Sequence, residues 1–468
     1  MVNPQASLLA AKLHSKYRPQ TEADRYINAL TIRPDADCFI AVEPALGYIV
    51  QSLLCIRPES TVVVLHAESS FRDAGVCPDV PAWYPDSGNT VQEFLEGAIP
   101  ESASVQIIEW KPSATLFGDA YLGLVRECAE FIRRAAASRR TAAAFGRRWV
   151  RNFFRSLTII EKTLLYKAAD VPVVITGSGP GLEAALPGIR SCREGIFLMA
   201  ASSSLPALAS GGIAPDLAIA TDGGGWALLH MHACFRGASP PAPMKLAMGL
   251  TAAIPSQCAS LPVLAMSDGS LWQNIALNAA GIPSAYIPQR GTVTASALEL
   301  AMVLSGGNIF LAGMDLSVRD IRSHARPYGF DHVFYGAASR FRPVYSQLFA
   351  RSGDIQAGGS YDVYAAWFNS RVASMPGRVF SLGASSAALP EKDLAAGGGQ
   401  KDGMFRVIAA KGPPEERRAI AADTLIAALG NPQYAAALRA ELAPLLFPSQ
   451  PEAPAGEIAD ALRTIARR

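Results

Sequence analysis

Short, nearly continuous apolar runs recur along this chain, and residues with helical spacing follow each of them. In the first part the runs are CFIAVEPALGYIVQSLL, STVVVLHAE and ASVQIIEW, which read as buried strands with helical material between them. A long helical stretch begins at Tyr121. It carries eight arginines between Arg133 and Arg155 and no acid between Glu130 and Glu161, and reads as a solvated connector. A second series of strands starts at VPVVITGSGPG. It continues through GIFLMAASSSLPALASGGIAPDLAIATDGGG, MKLAMGL, LPVLAMSDG, SAYIPQRGTVTASALELAMVLSGGNIFLAGMDL and RVFSLG.

Strands alternating with helices imply a largely parallel sheet that binds ligands at the carboxyl ends of its strands. The expected architecture is therefore α/β, in four parts. An N-terminal α/β domain spans 1–120, and a helical connector 121–165. A central Rossmann-like domain with a mostly parallel sheet spans 166–390. The linker AAGGGQKDG and a C-terminal helical appendage, rich in Ala, Leu, Arg and Glu, fill 391–468.

Composition narrows the function classes. At 468 residues, 50% hydrophobic and 18% charged, the chain can bury a large core. Its formal charge of +2 gives no general attraction to nucleic acid or anionic lipid. No run of about 18 apolar residues suggests a membrane span. The opening MVNPQASLLAAKLHSKYRPQ lacks the apolar region of a secretory signal. Seven scattered cysteines without a C-x-x-C pair suit reduced, mostly buried thiols, so the expected location is the cytoplasm.

Three segments carry candidate chemistry. In VVITGSGPGLEAAL a strand runs into Gly177, Gly179 and Gly181, whose bare backbone allows close approach, and the following helix start offers N–H groups to an anion, the alternative being a purely structural turn. Pro180 suits a helix start, and Ala184 stands where a dinucleotide fingerprint has its last glycine. In GGIAPDLAIATDGGG a strand leads to Asp222, which either bonds a ribose or sugar hydroxyl or caps the turn before Gly223. TDGGG is not an Asp-x-Asp motif, so no metal is called for. In the third segment Ser296 and Glu299 have the spacing of a capping box. That puts Arg290, Gly291, Thr292 and Thr294 around a helix N-terminus, while a buried strand ends at Met314 and Asp315. His324, in the loop beyond, is the histidine best placed for general base catalysis, the plainer alternative being a surface residue.

In this order, ITGSGPGLE, GGIAPDLAIATDG and RGTVTASALELAMVLSGGNIFLAGMDLSVRDIRSHA resemble the core domain of the Maf (motility-associated factor) flagellin glycosyltransferases. The wider group includes sialyltransferase-like enzymes and archaeal 6-hydroxymethylpterin diphosphokinases. The likeness spans roughly residues 150–385. It implies transfer of a nonulosonic acid from a CMP-activated donor to Ser or Thr hydroxyls of flagellin, without a further cofactor. By the resemblance, Gly177, Ser178, Gly179, Pro180, Gly181 and Leu182 hold the nucleotide. Asp222 falls on the strand-end aspartate, and Gly313, Asp315, Leu316 and His324 on the G-x-D-L and histidine positions. Gly181 stands where the family carries serine. Catalysis is then expected from His324 and Asp315, with Arg290 near the leaving group. A pterin pyrophosphoryl transferase needing ATP and magnesium, and a non-catalytic adaptor that binds flagellin or a nucleotide, are the alternatives.

Overall fold

A computed structural model describes residues 4–72, 74–99, 103–234, 244–288, 290–357, 359–394 and 400–467. It divides into two compact units, Met1–Ala144 and Phe145–Arg468. The helix Lys111–Ile159, bent at Gly118 (φ 49°), contributes to both. The expected connector thus lies within a helix that starts earlier and gives way to a strand at Lys162.

The first unit holds a parallel sheet of β1 (Cys38–Val42), β2 (Thr61–Leu65), β3 (Ala82–Trp83) and β4 (Val105–Glu109), in the order β3-β2-β1-β4. Period-two alternation divides β1 between two cores. Cys38, Ile40 and Val42 pack with Leu95, Tyr121 and Cys128, whereas Phe39 and Ala41 pack with Ile27, Ile49 and Leu53.

The second unit is built on β5 (Lys162–Tyr166), β6 (Val173–Thr176), β7 (Phe197–Ala201), β8 (Leu217–Ala220), β9 (Lys245–Gly249) and β10 (Pro262–Ser267). These are joined by β11 (Ser284–Tyr286), β12 (Ile309–Ala312), β13 (Val379–Ser381) and β14 (Phe405–Ala409). Their order is β13-β12-β6-β7-β8-β9-β10-β5-β14, with β11 beside β10 and only β14 antiparallel, against β5. The α/β class and the mostly parallel central sheet are those expected. From β6 the chain steps outward to β10, then returns to place β12 on the other side of β6, pairing Ile309 with Val173 and Ala312 with Thr176. Loops leaving β6 and β12 therefore part to opposite sides, the crevice where such sheets bind ligands. The two faces again alternate. Val174, Leu198 and Ala218 meet Phe153, Phe154 and the C-terminal helices, while Val173, Ile175 and Met199 meet Leu298, Leu300 and Phe368.

The C-terminal helical region is present as Pro414–Leu429, Pro432–Leu446 and Ala455–Ala466, but it is no appendage. Leu425, Leu442 and Leu462 share one core with the sheet, and β14 adds an edge strand between the expected linker and these helices. Linker residues 395–399 lie outside the described set. Among the six cysteines described as free thiols, four are buried, and burial pushes Cys38 and Cys128 up to about 12. Among the described residues no helix is long and apolar enough to cross a membrane.

Glu441 ties these helices to the sheet layer. Its carboxylate accepts from Leu271 N (2.9 Å) and Trp272 N (3.0 Å), satisfying the start of helix Leu271–Ala279, where Ser270 makes no side-chain cap. Glu441→Ala is expected to cost about 1–3 kcal/mol in urea unfolding, since two donors lose their acceptor. A loss under about 0.5 kcal/mol would mean that this tie contributes nothing.

Candidate functional site

The glycine turn after β6 and the loop after β12 interlock at the crevice. Gly177 N donates to Ala312 O (2.8 Å) and Gly179 N to Gly313 O (2.8 Å). Gly181 N lies 2.8 and 2.9 Å from the two carboxylate oxygens of Asp315. Close approach requires the glycines. A Cβ on Gly177 would lie 2.6 Å from Gly313 O, one on Gly179 would land on Asp315 Oδ2, and one on Gly181 would lie 2.8 Å from Asp315 Oδ1. Gly313 itself takes φ 64°. The anion at the N-terminus of helix Leu182–Ser191 is therefore Asp315, in the position foreseen for a ligand phosphate. Burial raises the Asp315 carboxyl pKa, while the Gly181 N–H and Arg319 (3.8 Å) pull it down. Leu182 is buried in the core.

This interlock carries the histidine loop. Ala325 N donates to Ser178 O (2.7 Å), and Glu183 Oε1 accepts from Arg326 N (2.9 Å) and Arg322 Nη1 (3.0 Å). His324 is half-buried rather than a free surface residue. Its ring stacks on Tyr328 (centroids 4.0 Å), and Nδ1 meets Ser323 Oγ at 2.7 Å. Buried His230 packs against Tyr328 and Phe330, each at 5.0 Å. Burial lowers His324 to about 3, with Arg351 and then His230 adding to the shift, and lowers His230 to about 4, again with Arg351.

Arg351, on helix Val344–Ala357, lies 5.7 Å from the Phe330 and Phe334 ring centroids. Among the described residues it forms no ion pair with a carboxylate, although its charge acts on His324, His230, Tyr328 and Tyr361. Tyr361 and Tyr364, on helix Ser360–Ala373, have pKa values raised by burial. Asp315 adds to the shift of Tyr361, and Asp222 to that of Tyr364.

The remaining expected residues divide. Asp222 is exposed, two residues beyond β8, and its Oδ1 accepts from Gly224 N at 2.7 Å as a turn cap does. Gly223 is a packing requirement, for a Cβ there would strike the Trp149 ring. Ser296 and Glu299 form no capping box. The helix Val293–Leu304 is capped by Thr292, whose Oγ1 accepts from Ala295 N at 3.0 Å. Glu299 instead binds Arg371 through both oxygens (3.1 and 3.0 Å), with Arg290 Nε at 3.5 Å. A buried carboxylate flanked by two guanidiniums is a stronger arrangement than an exposed cap. It draws on the charge of Arg290 that was expected near a leaving group. Gly291 lies against Tyr364 at φ 77°, and Thr294 is half-buried on the first turn of the same helix. Sequence reading missed Arg351, Tyr328, His230, Tyr361 and Tyr364. Only the i, i+3 spacing of the last two signalled a shared helix face. Among the described residues no three His, Cys, Asp or Glu converge as metal ligands.

Residues 148–320 match the family described as 6-hydroxymethylpterin diphosphokinase MptE-like. An uncharacterized protein of Treponema pallidum (strain Nichols) is 27% identical over 316 residues, covering 66% of this chain. The matched stretch spans 65% of that relative's length. The structure of a Maf glycosyltransferase from Magnetospirillum magneticum AMB-1 aligns over 100% of this chain and 86% of its own, at 10% identity and a TM-score of 0.45.

Two outcomes are expected from this geometry. Gly179→Ala should lower stability by about 1–3 kcal/mol in urea unfolding, because its Cβ displaces the Asp315 carboxylate. Full stability with loss of ligand binding alone would mean that the turn serves only the ligand. The second concerns pH. His324 and His230 take up protons near pH 6.5 when unfolded, but only near 3 and 4 when folded. Their stabilisation is complete above pH 6.5 and is lost as pH falls toward 4, by up to about 2 kcal/mol each at pH 5. His324→Leu should flatten this acid limb. An unchanged slope would mean that the imidazole titrates in the fold as it does in water.

Proposed function

We propose that the central domain transfers a nonulosonic acid from a CMP-activated donor to Ser or Thr hydroxyls of flagellin, in the cytoplasm before export, as flagellar assembly and motility require. The observation that carries this reading is Arg351, a half-buried cation that pairs with no carboxylate among the described residues and stands beside neutral imidazoles and phenols. Such a cation suits a donor bearing both a carboxylate and a phosphate. The glycine turn serves this site indirectly, by fixing the Asp315 and His324 loops, since Asp315 already occupies its helix N-terminus.

In the proposed step the acceptor oxygen forms a bond to the anomeric carbon, and the bond from that carbon to the phosphate oxygen breaks. The electron pair leaves with CMP, whose growing charge Arg351 stabilises. The acceptor proton passes to His324 Nε2, because Nδ1 faces Ser323 Oγ. A pKa near 3 makes His324 a weak base in the free protein. Burial is the main cause of that depression and Arg351 the second, so an anionic donor over the guanidinium removes the second part and raises basicity when the substrate is in place. Exposed Asp222 accepts from sugar hydroxyls, and the half-buried rings of Tyr361 and Tyr364 exclude water.

The family description keeps a second reading open, pyrophosphoryl transfer to a pterin. That chemistry needs carboxylates for magnesium, and both oxygens of Asp315 are engaged by Gly181. One assay separates the two readings. With CMP-nonulosonate and flagellin, His324→Ala should lower kcat about 10²–10⁴-fold and Arg351→Met should weaken donor binding about tenfold or more. Turnover of ATP with 6-hydroxymethylpterin and magnesium, with none of the sugar donor, would replace the first reading with the second.

A further inference from the structure

We infer that the first unit holds a small-molecule site of its own, for a phosphorylated compound rich in hydroxyls. A cavity of about 400 Å³ opens there, lined by Leu46, Gly47, Val50, His66, Asp79 and Tyr84 among others. It sits where β1 and β2 end, the ligand-binding edge of a parallel sheet.

His66 is the polar group built into it. The residue is 5% exposed, and its ring stacks on Tyr84 (4.8 Å, 8°) and Phe71 (5.7 Å, 26°). Nδ1 meets Glu43 Oε1 at 3.1 Å. Glu43 is fully buried and fixed in turn. Its carboxylate accepts from Ala67 N (2.5 Å) and Ala45 N (3.2 Å), and its carbonyl from buried Ser113 Oγ (2.7 Å). A carboxylate at Nδ1 holds the hydrogen there, leaving Nε2 as an acceptor. Among the described residues Nε2 has no partner, so it is offered to the cavity.

The anion position lies beside it. Helix Tyr48–Ile56 begins at Gly47 (φ 84°) with no side-chain cap. Gln51 N bonds Gly47 O, but among the described residues nothing accepts from the N–H of Tyr48, Ile49 or Val50, although Ile49 and Val50 are buried. The turn before it takes positive φ at Glu43 (43°) and Ala45 (52°), strain that the Glu43 contacts maintain. Helix N–H groups favour a phosphate, Nε2 accepts a hydroxyl, and exposed Asp79 accepts another at the mouth. Sugar phosphates and nucleotides share this chemistry.

The test is hydrogen–deuterium exchange and calorimetry on the full chain with inorganic phosphate, a hexose phosphate and a nucleoside monophosphate. Binding by either organic ligand should protect residues 43–56 and 66–84, the hexose phosphate or the nucleotide binding more tightly according to the source. Asp79→Asn, an exposed change that leaves the fold intact, and His66→Gln should each weaken that ligand about tenfold and inorganic phosphate far less. No binding, equal binding by both variants, or protection confined to 177–182 and 313–328 would overturn the proposal. The last result would leave the reading of the central domain standing, and loss of transfer activity alone would leave this one standing.

Discussion

The contact between the Asp315 carboxylate and the Gly181 N–H holds the second unit's functional edge together. It joins the loops leaving β6 and β12, two adjacent strands whose connections run apart and leave a crevice between them. Almost every residue of interest hangs from it. Ser178 and Glu183 on one side of the contact hold the backbone at Ala325 and Arg326, and so set where His324 stands. Because the carboxylate is buried, its charge is affordable only with those N–H groups and Arg319 nearby, and the helix N-terminus that supplies them is consumed in the process.

That occupation moves the anion chemistry elsewhere. With the helix start neutralised internally, Arg351 is the cation that acts on both imidazoles, and among the described residues it pairs with no carboxylate. The same low-dielectric surroundings that make its charge effective also hold His324 and His230 neutral. Imidazoles, phenols and one guanidinium form a site whose electrostatics change when an anion arrives. Burial is the larger cause of both depressions and Arg351 the second, so an anion bound over the guanidinium would relieve only the second part.

Legibility followed the range of the interactions. Strand runs such as VVIT and IFLA, and the glycines of ITGSGPG, declare themselves because period and backbone freedom are local properties. The capping box failed for a related reason. Ser296 and Glu299 have the right spacing, but Arg371, seventy-two positions on from Glu299, competes for the carboxylate and wins by burying it with two bonds. Arg351 carried no signal at all, since a basic residue on a helix becomes unusual only when its neighbours prove to be aromatic rather than acidic. The C-terminal helices looked like an appendage because their spacing reveals an apolar face but not what that face covers. Glu441 at the start of helix Leu271–Ala279 settles that only in three dimensions.

The two units solve one geometrical problem in opposite ways. Each has a strand of a parallel sheet that turns sharply into a helix, and each turn depends on residues in the left-handed region or on glycines pressed against a neighbour. After β6, the acid that stabilises the turn comes from the next strand over and fills the helix N-terminus. After β1, the acid is Glu43 within the turn itself. It points back toward His66 and Ala67, so it steadies the loop while leaving the N–H groups of Tyr48, Ile49 and Val50 without an acceptor among the described residues. Where a buried turn spends its carboxylate therefore decides whether the helix beyond it is a structural joint or an open anion site. By that criterion the glycine-rich turn, conspicuous in the sequence, is the joint, and the unremarked EPALG is the open site.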